Sequence, residues 1–262
     1  MNDNRIALMG AICGDIIGSS YEFNPTKQYK FSLFTKKSTY TDDTVMTCAV
    51  ADWLMNGGKL LEIMQKWGRK YIGAGYGPMF YRWLRSDCPK PYNSFGNGSA
   101  MRVSPVGWFA NSLEECLRLA QESADVTHNH PEGIKGAKAT ASAIFLAKNG
   151  ANKDEIKRYI SETFGYDLNR EYIEIKPGYS FDVSCQGSVP ESIICFLESN
   201  DYESAIRLAV SMGGDADTMG DITGAIAVAF YGEIPDKIAG PCLDKLPEDI
   251  YKVVCQFAEL IS

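Results

Sequence analysis

Apolar residues recur at helical spacing along nearly all of this 262-residue chain, while strand patterns are scarce. That combination restricts the architecture to packed helices. Ile6, Met9, Gly10, Cys13 and Ile17 fall on one face of a first helix that carries Asp15 towards its end. Further helices are expected over 44–55, stopped by Gly57-Gly58, and over 60–71, with Ile63, Met64 and Trp67 as its apolar stripe. Others are expected over 113–126, 131–148, 154–164, 190–198, 201–212, 218–231 and 247–261. Only Tyr172-Ile173-Glu174-Ile175 alternates, as a short edge strand before Pro177-Gly178 would. No repeat, low-complexity stretch or linker divides the sequence. The expected fold class is therefore all-α, a single compact helical domain over residues 1–262. Gly136, Ala137, Ala139, Ala141 and Ala143, then Gly220, Gly224, Ala225, Ala227 and Ala229, are explained by close helix packing.

Two acidic clusters interrupt the helical pattern: Thr41-Asp42-Asp43-Thr44 and Gly213-Gly214-Asp215-Ala216-Asp217-Thr218. Each places two carboxylates and hydroxyls within a few residues, bordered by apolar sequence, with no basic residue inside it. Like charges at that density repel unless water, lysine or a cation neutralises them. Carboxylate and hydroxyl oxygens are hard ligands that suit Mg²⁺ or Mn²⁺ better than zinc. Helix N-capping is the plainer reading, since Ser, Thr and Asp favour that position. A cap needs one such residue rather than four, and a helix start can both be capped and hold an anion.

The 33 acidic residues outnumber the 26 basic ones, which argues against a general nucleic-acid binder. Neither a signal peptide nor 18 uninterrupted apolar residues can be found, so no membrane association is expected. The eight cysteines are spread singly, without a C-x-x-C pair. A reduced, cytoplasmic setting is the expectation, and a single cleft needs no more than a monomer.

Several loops lack a packing rationale. Gly14-Asp15-Ile16-Ile17-Gly18-Ser19-Ser20-Tyr21-Glu22 ends the first helix in small residues and a lone glutamate. Gly73-Ala74-Gly75-Tyr76-Gly77 offers glycines that let backbone N–H groups approach a ligand. Ser94-Phe95-Gly96-Asn97-Gly98-Ser99 combines an aromatic ring, flexible backbone and polar tips, which suits a nucleotide or sugar and equally a plain turn. Both histidines lie in Thr127-His128-Asn129-His130. Two histidines at i and i+2 cannot share a helix face, which excludes a helical zinc pair. Asp15 either supports metal ligands from behind or caps its own turn.

Taken in order, these segments resemble the ADP-ribosylglycohydrolases. The resemblance rests on Gly14-Asp15, Gly18 and Glu22; Thr41-Asp42-Asp43-Thr44; Gly96-Asn97-Gly98-Ser99-Ala100-Met101-Arg102; Thr127-His128; and Gly214-Asp215-Ala216-Asp217-Thr218 with Gly224. It implies an orthogonal all-α domain with two Mg²⁺ (or Mn²⁺) at the bottom of a cleft. The metal ligands it implies are Thr41, Asp42, Asp43, Asp215, Asp217 and Thr218. Gly73, Gly77, Ser94, Gly96 and Asn97 would hold the diphosphate and riboses, Phe95 would flank the adenosine, and His128 would reach the diphosphate side. Glu22 matches a mobile-loop glutamate and would carry protons, with Asp42 and Asp43 as the other acid–base candidates.

The implied reaction is hydrolysis of the N- or O-glycosidic bond between ADP-ribose and an acceptor, either a protein side chain or a small conjugate. Nucleic acid would enter only as an ADP-ribosylated substrate. The Gly18-Ser19-Ser20-Tyr21-Glu22 spelling leans towards O-linked acceptors. Two rivals are carried alongside: a two-metal phosphoester hydrolase, and a catalytically inactive ADP-ribose-binding module.

Overall fold

The computed structural model describes residues 6–262. The elements run α1 (Ile6–Gly18), α2 (Asp42–Asn56), α3 (Leu60–Lys70), α4 (Pro78–Leu84), α5 (Gly98–Met101), α6 (Ser104–Phe109), α7 (Leu113–Asp125) and α8 (Pro131–Lys148). They continue as α9 (Lys153–Phe164), α10 (Tyr172–Ile175), α11 (Cys185–Glu198), α12 (Tyr202–Ser211), α13 (Ala216–Tyr231), α14 (Asp236–Leu243) and α15 (Glu248–Leu260). The all-α expectation holds. Among the described residues the only β pairing is an isolated antiparallel bridge between Gly96 and Ser184. No helix among them is long and apolar enough to cross a membrane.

Helix ends follow local chemistry. Ser112 accepts from the Glu115 amide to open α7, and Asn152 forms a capping box with Glu155 at α9. Gly165 and Gly232, both left-handed, end α9 and α13.

Two expectations need correction. Residues 172–175 form one helical turn, α10, rather than an edge strand. Among the described residues no strand lies beside them to pair with, and the Tyr172 amide donates instead to Glu198 at 2.6 Å. Helix α11 starts at Cys185, five residues before the expected Pro190. Ser184 caps that earlier start, and the carbonyl that Pro190 leaves unpaired belongs to the exposed Gln186, where water can reach it. The short helices α4, α5, α6 and α14 carry too few turns to show a period in the sequence.

At the centre lies α1, all 13 of whose residues are buried. It packs backbone to backbone against α13 along a glycine seam. A Cβ on Gly14 would sit 2.0 Å from the Gly220 carbonyl oxygen, and one on Gly18 would sit 2.2 Å from that of Ala216. On the facing helix, a Cβ on Gly224 would meet the Gly10 carbonyl oxygen at 2.2 Å. Only glycine permits this approach. The seam fixes Asp15, at the C-terminal end of α1, beside the N-terminal end of α13.

Candidate metal and substrate site

The two acidic clusters open α2 and α13, the helix starts that the seam brings together. Asp15 ties the first of them down. One oxygen accepts from the Thr41 hydroxyl at 2.8 Å, and the other accepts from the Thr41 amide at 2.9 Å and the Thr44 amide at 3.1 Å. The Thr44 hydroxyl donates to the same Asp15 oxygen. Thr41 also accepts from the Asp43 amide and so caps α2. Capping and clustering thus coexist there. At α13 they do not: Asp215 holds the cap position without a side-chain capping bond. Its carboxylate instead accepts from Asn97 Nδ2 at 2.7 Å.

Glu22, Asp215 and Asp217 each offer a carboxylate oxygen within 4.8 Å of the other two. Asp42 and Asp43 share the electrostatic field of this group. Burial, then Asp15, Asp221, Asp42 and Asp215, holds the Asp43 carboxyl well above its usual range. Burial, then Asp215, Asp43, Glu22 and Asp15, does the same to Asp217. The Asp42 carboxyl is pushed up to about 8 by burial and by Asp15. That of Glu22 rises to about 7 through burial and Asp215. Asp15 reaches about 6 through burial, despite its four hydrogen bonds.

None of these carboxylates forms an ion pair with a lysine or arginine among the described residues. One buried oxygen, Asp43 Oδ1, has no hydrogen-bond partner at all. Hard oxygen donors, crowded and lacking counter-charge, fit a divalent cation such as Mg²⁺ or Mn²⁺. Without a cation the same groups hold protons instead. Thr218, buried beside Asp217, has its amide on Asp217 Oδ1 at 2.9 Å.

Of the other sequence-selected residues, Asn97 touches this floor directly, through Asp215. Ser94 and Asn97 are buried, and Phe95 is half exposed with its ring 5.5 Å from that of His130. The Gly96–Ser184 bridge and the Asn97 amide on the Val183 carbonyl, at 2.7 Å, hold that loop against the start of α11. His128 is buried against Gly96 and Gly98. Gly73 and Gly77 are exposed, with nothing within 4 Å of where their Cβ atoms would be. Gly75 is the glycine of that loop that faces the carboxylates: its φ is +110°, and a Cβ there would lie 3.3 Å from Asp42 Oδ1.

Glu22 rides on the segment after α1. Tyr21 pins it by donating to the Ser32 carbonyl at 2.7 Å. Further along, Lys27 donates to the carbonyls of Lys176 at 2.8 Å and Tyr179 at 2.7 Å, and to that of Met212.

Sequence reasoning missed Asp221, fully buried with both oxygens unpartnered. Its signal was the i, i+4 spacing from Asp217, which puts both on one face of α13. Arg102, at the end of the Gly96–Arg102 motif, is fully buried beside His128, and the motif alone assigns it no role.

Fold and site together define an all-α protein with a buried, cation-poor carboxylate floor built from two helix N-termini. The family model for ADP-ribosylglycohydrolase matches residues 3–261, and the chain belongs to that family. A mouse protein named ADP-ribosylhydrolase ARH3 is 25% identical, with 95% of this chain and 91% of that protein covered. The human protein of the same name is also 25% identical, over 95% of this chain and 93% of that protein. A Pseudomonas putida protein named ADP-ribosylarginine hydrolase Tri1 is 26% identical, over 97% of this chain and 79% of that protein. A solved structure described as an ADP-ribosylglycohydrolase-related protein complex shares the fold, with a TM-score of 0.73, 24% identity and coverage of 100% and 99% of the two chains. The enzyme class is accordingly that of an ADP-ribosylglycohydrolase.

Proposed function

We propose that this protein hydrolyses the glycosidic bond between ADP-ribose and an acceptor, using two Mg²⁺ or Mn²⁺ ions held by Thr41, Asp42, Asp43, Asp215, Asp217 and Thr218. The observation that carries this reading is that Asp215, at the start of α13, raises the pKa of Asp43, at the start of α2, and both raise that of Asp217, with no basic partner among the described residues. When bound, such ions supply positive charge that orients ribose hydroxyls and eases proton loss from water.

The chain's own residues do the rest. Cleavage builds positive charge on the sugar as the acceptor leaves, and a carboxylate that the ions do not neutralise, such as Glu22, would stabilise that charge. Glu22 is only half buried, on a loop at the edge of the group. It can therefore exchange protons with solvent and pass them between the acceptor oxygen and water, with Asp42 and Asp43 as the other proton carriers. Asn97 fixes the Asp215 carboxylate by its 2.7 Å bond. The exposed backbone at Gly73 and Gly77 would offer donors for a diphosphate and ribose, while Ser94 and Gly96, whose amides donate to the Thr127 carbonyl and to Ser94 Oγ, would shape the loop beside it; His128 would add a ring nitrogen on that side, and the half-exposed Phe95 ring a face for adenine. One chain supplies every one of these groups, and we read the protein as a monomer.

Among acceptors we favour oxygen-linked ones, such as ADP-ribosylserine. A guanidinium needs a carboxylate or an aromatic face to rest on. Tyr21 packs edge-on to Phe31 at 4.9 Å and bonds Ser32, and Tyr76 is buried against Phe80, so neither aromatic beside the glutamate and glycine loops is free to receive one. An arginine-linked substrate would rest its guanidinium on the Glu22 carboxylate or on the exposed Phe23 and Phe181. The test is release of ADP-ribose from matched serine- and arginine-linked peptides. Faster release from serine is expected; release from arginine alone would reverse the preference. A phosphoester hydrolase reading is disfavoured because His128 and His130 stand outside the carboxylate group.

A further inference from the structure

Arg102 is 1% exposed and has no carboxylate partner among the described residues. Burying an uncompensated guanidinium is costly, and an apolar side chain of similar volume would serve packing better. Its bonds point to what it does. Arg102 Nη2 donates to the Ser123 carbonyl at 2.7 Å and to Thr127 Oγ1 at 3.0 Å. The same hydroxyl lies 2.7 Å from His128 Nδ1.

A guanidinium can only donate, so Thr127 Oγ1 accepts from it. The hydroxyl proton then needs an acceptor in a site that no solvent reaches, since Thr127 is fully buried. Among the described residues His128 Nδ1 is the neighbour placed to accept it. If Nδ1 carried its own hydrogen, two donors would face one hydroxyl and the Thr127 proton would be left buried and unpaired. The His128 proton therefore belongs on Nε2. That nitrogen has no hydrogen-bond partner among the described residues, and it borders the Gly96–Gly98 turn: a Cβ on Gly98 would meet it at 3.0 Å.

We propose that Arg102 and Thr127 are positioning residues, which lock His128 in its Nε2–H tautomer and aim a fixed neutral donor at a phosphate oxygen of the ligand beside the Gly96–Gly98 turn. The identity of that ligand as ADP-ribose rests on the function proposed above; the tautomer does not. The locked ring donates without having to choose a tautomer on binding. Burial and the neighbouring Arg102 charge agree with this form, since both hold the imidazole well below its usual pKa and therefore neutral. Sequence spacing gave no sign of the relay, because Arg102 and Thr127 come from different helix ends, 25 positions apart.

The chain has two histidines, so long-range ¹H–¹⁵N spectra of the intact protein separate them readily, with His130→Ser assigning the pair. In the ligand-free wild type, His128 should show a protonated Nε2 and an unprotonated Nδ1. Thr127→Val keeps the side-chain shape and removes the hydroxyl. It should release the ring into a mixture of tautomers and weaken ADP-ribose binding about tenfold, the worth of one well-placed hydrogen bond, while leaving kcat near wild type. Thr127→Ser should restore both. An Nδ1–H ring in the wild type, or an unchanged tautomer in Thr127→Val, overturns the proposal. A wild type that holds Nε2–H but does not bind ADP-ribose leaves the relay standing and overturns the ligand assignment instead.

Discussion

Replacing Gly14 with alanine tests how the fold positions the site. Alanine is the better helix former by about 1 kcal/mol, so in a helix with open space the exchange would stabilise the protein. Here the new Cβ would lie 2.0 Å from the Gly220 carbonyl oxygen, where ordinary contact begins at 3.4 Å. Helices α1 and α13 would have to part by about 1.4 Å, and the obstacle is backbone rather than a flexible side-chain tip. Overpacking commonly costs about 1–3 kcal/mol, and a rigid obstacle belongs at the upper end, so after the helix-propensity gain a net loss of about 2 kcal/mol is expected. The site should suffer as well. Asp15, next to Gly14, holds the start of α2, while α13 carries Asp217, so separating the two helices separates the carboxylates they bring together. Displacements near 1 Å at a catalytic centre cost on the order of 10² in rate. Urea unfolding followed by circular dichroism, with and without Mg²⁺, reads both effects. A Gly14→Ala protein as stable as wild type, with an undiminished Mg²⁺-induced gain, would refute the seam as the device that sets the site.

Three other outcomes follow from the buried charge. In EDTA, Asp42, Glu22 and Asp15 have folded-state pKa values raised to about 8, 7 and 6, above ordinary carboxylate values. Their contribution to stability is then fully present below about pH 4 and lost as pH rises through 6 to 8, because the native state binds the extra protons; thermal melts of the metal-free protein across that range should show the fall, and a rise instead would contradict the assignment. Asp217→Asn removes a buried carboxyl that folding forces to take up a proton when no cation is present, so at neutral pH it should raise the melting temperature in EDTA while abolishing the gain on adding Mg²⁺ and eliminating turnover; a variant that keeps the wild-type Mg²⁺ response would exclude Asp217 as a ligand. Glu22→Gln should keep ADP-ribose affinity by calorimetry and lower kcat about 10²–10⁴-fold, whereas lost affinity with unchanged kcat would make Glu22 a binding contact.

Local signals in the sequence reached the floor of the site. Thr41, Asp42 and Asp43, like Asp215, Asp217 and Thr218, stand within a few positions of one another, and charge density between apolar runs was enough to mark them. Asp15 was legible only as a choice between a support and a cap, because its partners Thr41 and Thr44 lie 26 and 29 positions away. The glycine loop was found, but which glycine faces Asp42 depends on the turn's path: Gly75 takes the positive φ, and Gly73 and Gly77 stay open. Residues 172–175 misled because alternation reports a half-buried segment of either kind. Tyr172 is buried and Ile173 is 66% exposed within a single helical turn. Thr127 and His128 are neighbours in the sequence, but their tie to Arg102 had no local signal, since the packing of α5 against α7 brings the guanidinium to them.

The most direct test of the central claim is hydrolysis of serine-, arginine- and nucleic-acid-linked ADP-ribose by the purified full chain, with Mg²⁺ and with excess EDTA. Release of ADP-ribose from at least one linkage in Mg²⁺, its loss in EDTA and its return on adding Mg²⁺ or Mn²⁺ are expected from a carboxylate floor that needs cations to work. Equal release in EDTA, or no release from any linkage in Mg²⁺, would contradict it.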